Sequence, residues 1–501
     1  MGINSILKDC IVSKIIAIFM LFCVIMSADS GILADSSEAN SAESIAESQT
    51  KPPADNSLNI IKSPHTRLNL KESYEKVLQN SDSLKANKSA IDKARKLKSG
   101  AYMLFAPNVD IIGNYTFMEK TSIDIDLPPQ VKMMGLPSAL SMDLSNNHFA
   151  FGVINAMYPL YTGGKRLYAL RMADLNIQDS EFIMQLNKIN LFEKIVKVYF
   201  GVQLKAEVYQ TLRNVEMSAL AHLNNAKMLQ ENGQIAKIEF LSAKVEYDKA
   251  KNKAFEARNE LDIALLAFKT ILHDDEIMQS VMLNDNGEIA NLTLTSQLDI
   301  STNPLQNLQT YKDMAITSYP ALKSIEIKKL QTQEISKVEL SSFMPTIGLY
   351  GGYVIKNNNT VLNRAIPSWF VGVSAKLSLI STSGRIFKYQ ASKIAQNEVD
   401  YLHSQAKSDI LLLIETTYKE VLSANESFIN NTSTVELASE NLKLQEEAFI
   451  NGMASTVQVS DARNQLSFAK IQAQNAKYAY VVALAKLYAV SNDIDGFFKF
   501  Y

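Results

Sequence analysis

Cysteine is nearly absent from this chain of 501 residues: it occurs only as Cys10 and Cys23. Both lie in residues 1–28, which we interpret as a signal peptide, because lysines precede an apolar stretch, Ile15 to Met26, that is too short to span a bilayer. An N-terminal membrane anchor is the alternative. Without this segment the chain has no disulfide, no thiol nucleophile and no cysteine-ligated zinc site.

Other absences exclude whole classes of protein. The formal net charge is only -2, so the sequence lacks the basic surface that a nucleic-acid partner requires. After the N-terminus no apolar run reaches about 18 residues, which excludes an ordinary polytopic helical membrane protein. The sequence contains no nucleotide-binding, dinucleotide-binding or serine-hydrolase motif and no histidine pair with metal-ligand spacing. We therefore predict no enzyme activity, no cofactor and no metal site.

Proline and glycine are missing from two long stretches. No proline occurs from Leu160 through Asn303 or after Pro367, and glycine is sparse there. These stretches predict helices over 165–231 and 385–450, each about 100 Å long at 1.5 Å per residue. Such helices are too long to fold inside a globule.

Two Asn-Gly pairs are predicted to end these helices and reverse the chain. Return helices are expected over 235–272 and 455–490. Both carry heptads rich in alanine, which are typical of closely packed coiled coils. His222 lies on the seam of the first long helix and is expected to be packed rather than a ligand. The predicted turns are Asn232-Gly233 and Asn451-Gly452.

The chain is internally duplicated. Three landmarks of the first copy recur at a spacing of 238 residues: Leu84, Pro107 and Tyr115 match Leu322, Pro345 and Tyr353. Three later landmarks recur at a spacing of 219: Arg166, Gly233 and Ala243 match Arg385, Gly452 and Ala462. The first copy therefore has a longer loop, within about 118–150. Two copies are too few for a long solenoid.

Each copy is expected to carry a β-hairpin, 107–160 in the first and 345–379 in the second, after a leading helix of about 23 residues near 84–106 and 322–344. Apolar and polar residues alternate over about 11 residues in these segments, as in a tilted transmembrane strand. A small soluble sheet would show the same pattern. Membrane-spanning strands must close into a barrel, so four strands per chain would be pooled from two or three chains. Strand-to-helix turns are predicted at Gly163, Gly164 and Gly384.

These features divide the chain into six parts. Between the signal peptide and the first copy lies a segment rich in Ser, Ala and acidic residues, which is expected to be disordered. A polar link between the copies and the C-terminal tail are expected to form an irregular belt around the helices. The parts are 1–28 (signal peptide), 29–65 (disordered), 66–272 (first repeat), 273–317 (equatorial link), 318–490 (second repeat) and 491–501 (C-terminal tail).

Together these features resemble the TolC-type outer-membrane efflux protein family over about residues 66–490. Three local motifs are similar to those of the family, and the proline-leucine-aromatic turn is the most specific. They are Leu68-Asn69-Leu70-Lys71-Glu72, Leu104-Phe105-Ala106-Pro107 and Pro159-Leu160-Tyr161-Thr162-Gly163-Gly164. The resemblance implies an α+β membrane protein: a homotrimeric 12-stranded outer-membrane β-barrel, four strands per chain, continuous with a long periplasmic α-helical barrel.

The resemblance also implies a function and a site. Family members are exit ducts for efflux or type I secretion, and they dock a periplasmic adaptor and an inner-membrane pump of the RND or ABC type. Their helix tips form a periplasmic constriction, whose candidate residues here are Asp461, Gln458, Glu239 and Ser242. Ala454 stands where the family has a latching arginine. The tips at Asn232, Gly233, Asn451 and Gly452 are candidates for adaptor docking. The alternative is a secreted helical pore-forming or coiled-coil structural protein.

Overall fold

The computed structural model describes residues 66–126, 139–143, 148–284, 287–301, 303–356 and 367–501. All of these belong to one compact unit, Ser63–Tyr501. The predicted signal peptide and disordered segment, 1–65, lie outside the described residues. The described part contains helices α1 to α10 and strands β1 to β10.

The helices include two that are far longer than the rest. In chain order the ten are α1 (Leu70–Asn80), α2 (Asp82–Tyr102), α3 (Lys165–Glu231), α4 (Lys237–Leu272), α5 (Asp275–Ser280), α6 (Leu308–Ser318), α7 (Pro320–Ser341), α8 (Arg385–Ile450), α9 (Thr456–Val490) and α10 (Ile494–Phe497).

The strands fall into four sheets. They are β1 (Thr66–Leu68), β2 (Asn108–Phe117), β3 (Ser122–Asp126), β4 (Ala139–Asp143), β5 (His148–Tyr161), β6 (Met282–Leu283), β7 (Ile289–Ala290), β8 (Leu292–Leu294), β9 (Thr346–Lys356) and β10 (Trp369–Lys376). The main sheet has four strands in the order β10-β9-β5-β2.

The main sheet joins the hairpins of the two copies edge to edge. β5 of the first hairpin pairs antiparallel with β9 of the second, and β2 and β10 are left at the two edges. Ile154 pairs with Tyr353, which in turn pairs with Trp369. The face that carries these residues also presents Tyr115 and Val371, which are 61% and 63% exposed. This exposed aromatic and aliphatic face suits contact with lipid.

The longer loop of the first copy contains a hairpin that the sequence reading did not predict. β3 and β4 pair antiparallel, with Ile123 opposite Met142 and Ile125 opposite Leu140. The residues between these strands, 127–138, lie outside the described residues.

Each long helix runs away from the sheet and packs against shorter helices. α3 contacts α2, α4 and α7, while α8 contacts α7 and α9. The heptad seam predicted for the last return helix is confirmed at every position except Leu466, which is half-buried; the other apolar positions are buried. These are Val459, Ala462, Ala469, Ala473, Ala476, Tyr480, Ala483 and Leu487. Among the described residues, none of the helices combines the length and the hydrophobicity needed to cross a membrane.

The expectation of an irregular link over 273–317 is wrong at both ends of the link, where α5 (Asp275–Ser280) and α6 lie. Residues 308–318 form α6, whose Asn307 cap accepts a hydrogen bond from the Gln309 N–H. α6 stands 238 residues after α1, the same spacing that relates the earlier landmarks. The second copy therefore begins with a short helix, as the first does. The leading helices predicted near 84–106 and 322–344 correspond to α2 and α7, and each is preceded by a further short helix, α1 or α6, from which Ser81 or Tyr319 separates it.

The C-terminal tail is also more ordered than expected. It forms α10 and sends Phe497, which is fully buried, into a core shared with α1, α3 and α9. The Phe497 ring lies 5.3 Å from Phe192 and 5.2 Å from Tyr501 between centroids. The C-terminal part of the predicted belt therefore packs around a core of aromatic side chains.

Candidate functional site at the helix tips

Both long helices end in the same hydrogen-bonded turn. Gly233 and Gly452 adopt left-handed backbone, with φ of 70° and 72°. The Gln234 N–H donates to the Leu229 carbonyl at 2.9 Å, and the Met453 N–H donates to the Ala448 carbonyl at 2.8 Å. This is the Schellman arrangement, which satisfies the last carbonyls of a helix and favours glycine at the left-handed position. The tips are therefore fixed by local sequence in both copies.

Gln458 caps its own helix. The Ser455 N–H donates to Gln458 Oε1 at 2.7 Å, and the Gln458 N–H donates back to Ser455 Oγ at 3.4 Å. This capping box satisfies two free donors at the start of α9. Sequence reasoning missed it, although Ser three residues before Gln is its usual signal. Of the four constriction candidates, Gln458 is thus engaged with its own backbone.

Glu239 joins the two return helices. Its Oε2 accepts the N–H of Thr456, the first residue of α9, at 3.1 Å. A carboxylate at this point is favoured by the positive end of the α9 dipole. Two turns further along α4, Glu246 accepts the Ser460 hydroxyl of α9 at 2.7 Å. Partial burial opposes ionisation of Glu246, but hydrogen bonds from Lys249 and Ser460 hold its pKa below the usual value.

Ser242 and Asp461 line one groove. Its walls come from α4 and α9, α3 contributes Leu212, Val215 and Ala219, and its volume is about 510 Å³. Asp461 is exposed and Ser242 is half-buried. The fold thus brings Ser242 and Asp461 into one groove next to the Glu239 contact, although they are more than 200 residues apart in the chain.

A buried arginine near the tip was not predicted. The Arg463 side chain is 6% exposed and pairs with Glu446 of α8 at 3.3 Å. Its Nε also donates to Ser218 Oγ of α3 at 3.0 Å. No local pattern announces this contact, because the partners lie on three different helices. Among the described residues, no group of three or more His, Cys, Asp and Glu side chains could hold a metal ion.

The strand-to-helix turns repeat in the two copies. Gly163, Gly164 and Gly384 have φ of 64°, 85° and 66°. After each turn an arginine lies over a phenylalanine ring of the preceding helix end: Arg166 over Phe105 at 4.8 Å, and Arg385 over Phe343 at 4.7 Å. The same guanidinium groups donate to Leu160 and Leu379 carbonyls at the ends of the hairpins. These contacts tie the sheet to the helices at equivalent places.

A four-stranded protomer sheet above two helices of 67 and 66 residues is the architecture of an outer-membrane channel protomer. The sequence profile described as "Outer membrane efflux protein" matches residues 73–272 and 313–493, which is more than half of the chain. The chain belongs to this family. No curated protein matches it in sequence.

Solved structures share the fold. The CmeC outer membrane channel of Campylobacter jejuni superposes with a TM-score of 0.66 at 15% identity, over 90% of this chain and 94% of that one. VceC of Vibrio cholerae gives 0.65 at 13%, over 84% and 96%. The open state of MtrE of Neisseria gonorrhoeae gives 0.64 at 13%, over 85% and 89%.

The predicted fold class is therefore confirmed for the single chain: four strands in one sheet of an outer-membrane protein, continuous with long periplasmic helices. The protein is an outer-membrane efflux channel rather than an enzyme.

Proposed function

We propose that this protein is the exit duct of a tripartite efflux or type I secretion system. It conducts drugs, other small molecules or proteins passively from a pump and adaptor complex across the outer membrane. The observation that carries the proposal is the placement of the tips: sheet and tip turns lie at opposite ends of helices about 100 Å long. Since the sequence has no nucleotide-binding motif, the energy comes from a partner.

The partners in this proposal are two further copies of the chain, a periplasmic adaptor and an inner-membrane pump of the RND or ABC type. The adaptor docks at the tip turns, Asn232-Gly233 and Asn451-Gly452. Both turns are exposed and presented beyond the helix ends. Neighbouring Met453 and Ile450 are 75% and 70% exposed, so the tip presents two apolar side chains that a docked adaptor would cover.

Site-specific photo-crosslinking in cells tests this docking. A benzophenone amino acid in place of Met453 is expected to crosslink a periplasmic adaptor. Leu97 on α2 is the matched control, because it is similarly apolar and exposed, at 63%, but lies far from the tips. A strong adaptor crosslink from Leu97, or none from Met453, would contradict the proposed docking site.

The constriction in this proposal is formed by Asp461 and Ser242, with Glu239 and Gln458 holding the start of α9. Three copies of Asp461 around the axis would concentrate negative charge and attract cations. Ala454, at the position of the family's arginine, offers no charge of its own. The gate would then depend on contacts from elsewhere in the tip.

Divalent-cation block of single-channel conductance tests the Asp461 assignment. Asp461→Asn removes three charges from the trimer and is expected to raise the blocking concentration about 100-fold, since each of the three lost charge pairs near water is worth about 1 kcal/mol. Asp92→Asn, which removes an exposed carboxylate from α2, is expected to leave the block unchanged. Equal block in wild type and Asp461→Asn would remove Asp461 from the constriction.

A further inference from the structure

Arg463 holds three helices together just above the tip. It lies seven residues into α9, about 10 Å from the start of that helix. Its guanidinium donates to Ser218 of α3 and pairs with Glu446 of α8, while its side chain is almost fully buried. A buried cation is tolerated only while such partners remain in place. Separation of the helices would therefore break both contacts.

His222 completes this cluster. It lies one helical turn after Ser218 on α3, is only 9% exposed, and its ring centroid is 4.5 Å from that of Phe449 on α8. Its Nε2 is buried and has no hydrogen-bond partner among the described residues. A protonated imidazole needs acceptors for two N–H groups. The site is thus built for the neutral ring.

Burial and the charged groups around His222 together also favour the neutral imidazole. Burial is the main reason that its pKa falls from 6.5 to about 4; Arg463 on α9 lowers it further, and Glu239 on α4 acts in the opposite direction. On α8 the nearby carboxylate, Glu446, is held by Arg463. Glu239 accepts the Thr456 N–H of α9. These two carboxylates thus each have a partner other than His222.

We propose that Arg463, Ser218, Glu446 and His222 form an acid-sensitive clasp, which keeps the helix tips together at neutral pH and releases them when His222 is protonated. Protonated His222 would repel the nearby Arg463, and its buried N–H group would have no hydrogen-bond acceptor. Both unfavourable effects disappear once the ring is exposed to water. This proposal rests on the proposed function, in which the tips form the gate.

The sign and size of the effect follow from the two pKa values. The clasped state has the lowered pKa of about 4, and the released state has the ordinary value of 6.5. Stability of the clasp is complete above pH 6.5 and falls between pH 6.5 and pH 4. Between pH 7.5 and pH 5.0 the release equilibrium should shift by about 30-fold in each protomer.

The test is the open probability of the purified full-length protein in planar bilayers at pH 7.5 and pH 5.0. Wild type should open at least tenfold more often at pH 5.0. His222→Phe keeps an aromatic ring against Phe449 but cannot be protonated, so its open probability should change less than twofold. Arg463→Met should already be open at pH 7.5. Carboxylates titrate equally in wild type and His222→Phe, so the difference between them reports on His222.

A distance measurement between two spin labels provides a second test, which does not depend on channel activity. Spin labels at Lys237 and Val457, at the starts of α4 and α9, should show a longer distance at pH 5.0 in wild type but not in His222→Gln. The clasp is overturned if wild type and the His222 variants respond alike, or if wild type does not respond. Failure of the duct itself looks different, because wild type would then show no conductance at either pH.

Discussion

Replacing Phe497 with alanine is expected to destabilise the protein by about 3–5 kcal/mol, the range for a fully buried phenylalanine. The ring is 0% exposed and sits edge-on to Phe192, at 5.3 Å, and stacked on Tyr501, at 5.2 Å. Tyr488 of α9 completes the cluster at 6.3 Å. The truncation leaves a cavity at the point where α1, α3 and α9 meet. Thermal unfolding of the helical signal in detergent should shift to a clearly lower temperature.

Lys499→Ala is the matched control, since it truncates an exposed side chain two residues away. It should change stability by less than about 0.5 kcal/mol. A chain that ends after Asp495 loses all four terminal rings and is expected not to assemble at all. If Phe497→Ala unfolded like wild type, the tail would not be part of the core.

Gly163→Ala should be the most damaging single methyl addition at the turns. Gly163 has φ of 64°, so any side chain is strained there. Its Cβ would also lie 2.8 Å from the carbonyl oxygen of Ser341 and 2.7 Å from Cβ of Met344, at the end of α7. A backbone carbonyl cannot rotate aside as a long side chain can. We expect a loss of about 3 kcal/mol or more from strain and overpacking together.

Gly384→Ala distinguishes backbone strain from overpacking. Gly384 occupies the equivalent turn of the second copy with φ of 66°, but nothing lies within 4 Å of its would-be Cβ. Only the backbone strain remains, so the loss should be about 1 kcal/mol. Parallel unfolding measurements on the two variants give the comparison. Equal losses would mean that the contact with α7 relaxes freely.

The sequence was informative where local chemistry decides structure. Glycine with positive φ fixes a helix end whatever surrounds it, so the tips at Gly233 and Gly452 could be placed from the sequence. Periodicity likewise identifies a seam or a strand face. The capping box of Ser455 and Gln458 and the cap of α6 at Asn307 belong to this readable class, although they were missed.

In the candidate site, too, some features could be predicted from the sequence and others could not. That Asp461 and Glu239 lie near helix tips followed from the resemblance and from the position of the turns. That Glu239 reaches the Thr456 N–H did not, because the two residues are 217 positions apart. The burial of His222 followed from its place on the seam, whereas Arg463 carries no signal in the sequence, since its burial depends on how three helices meet.

The sequence by itself therefore determined the duplication, the long helices with their turns, and the alternating hairpins, because these depend on backbone preferences and on repeats of two or seven residues. The tertiary structure alone decided that β5 pairs with β9, that the terminal rings fill the belt, and that Arg463 joins three helices. Such contacts arise between distant residues when whole helices and sheets pack, and no short segment specifies them.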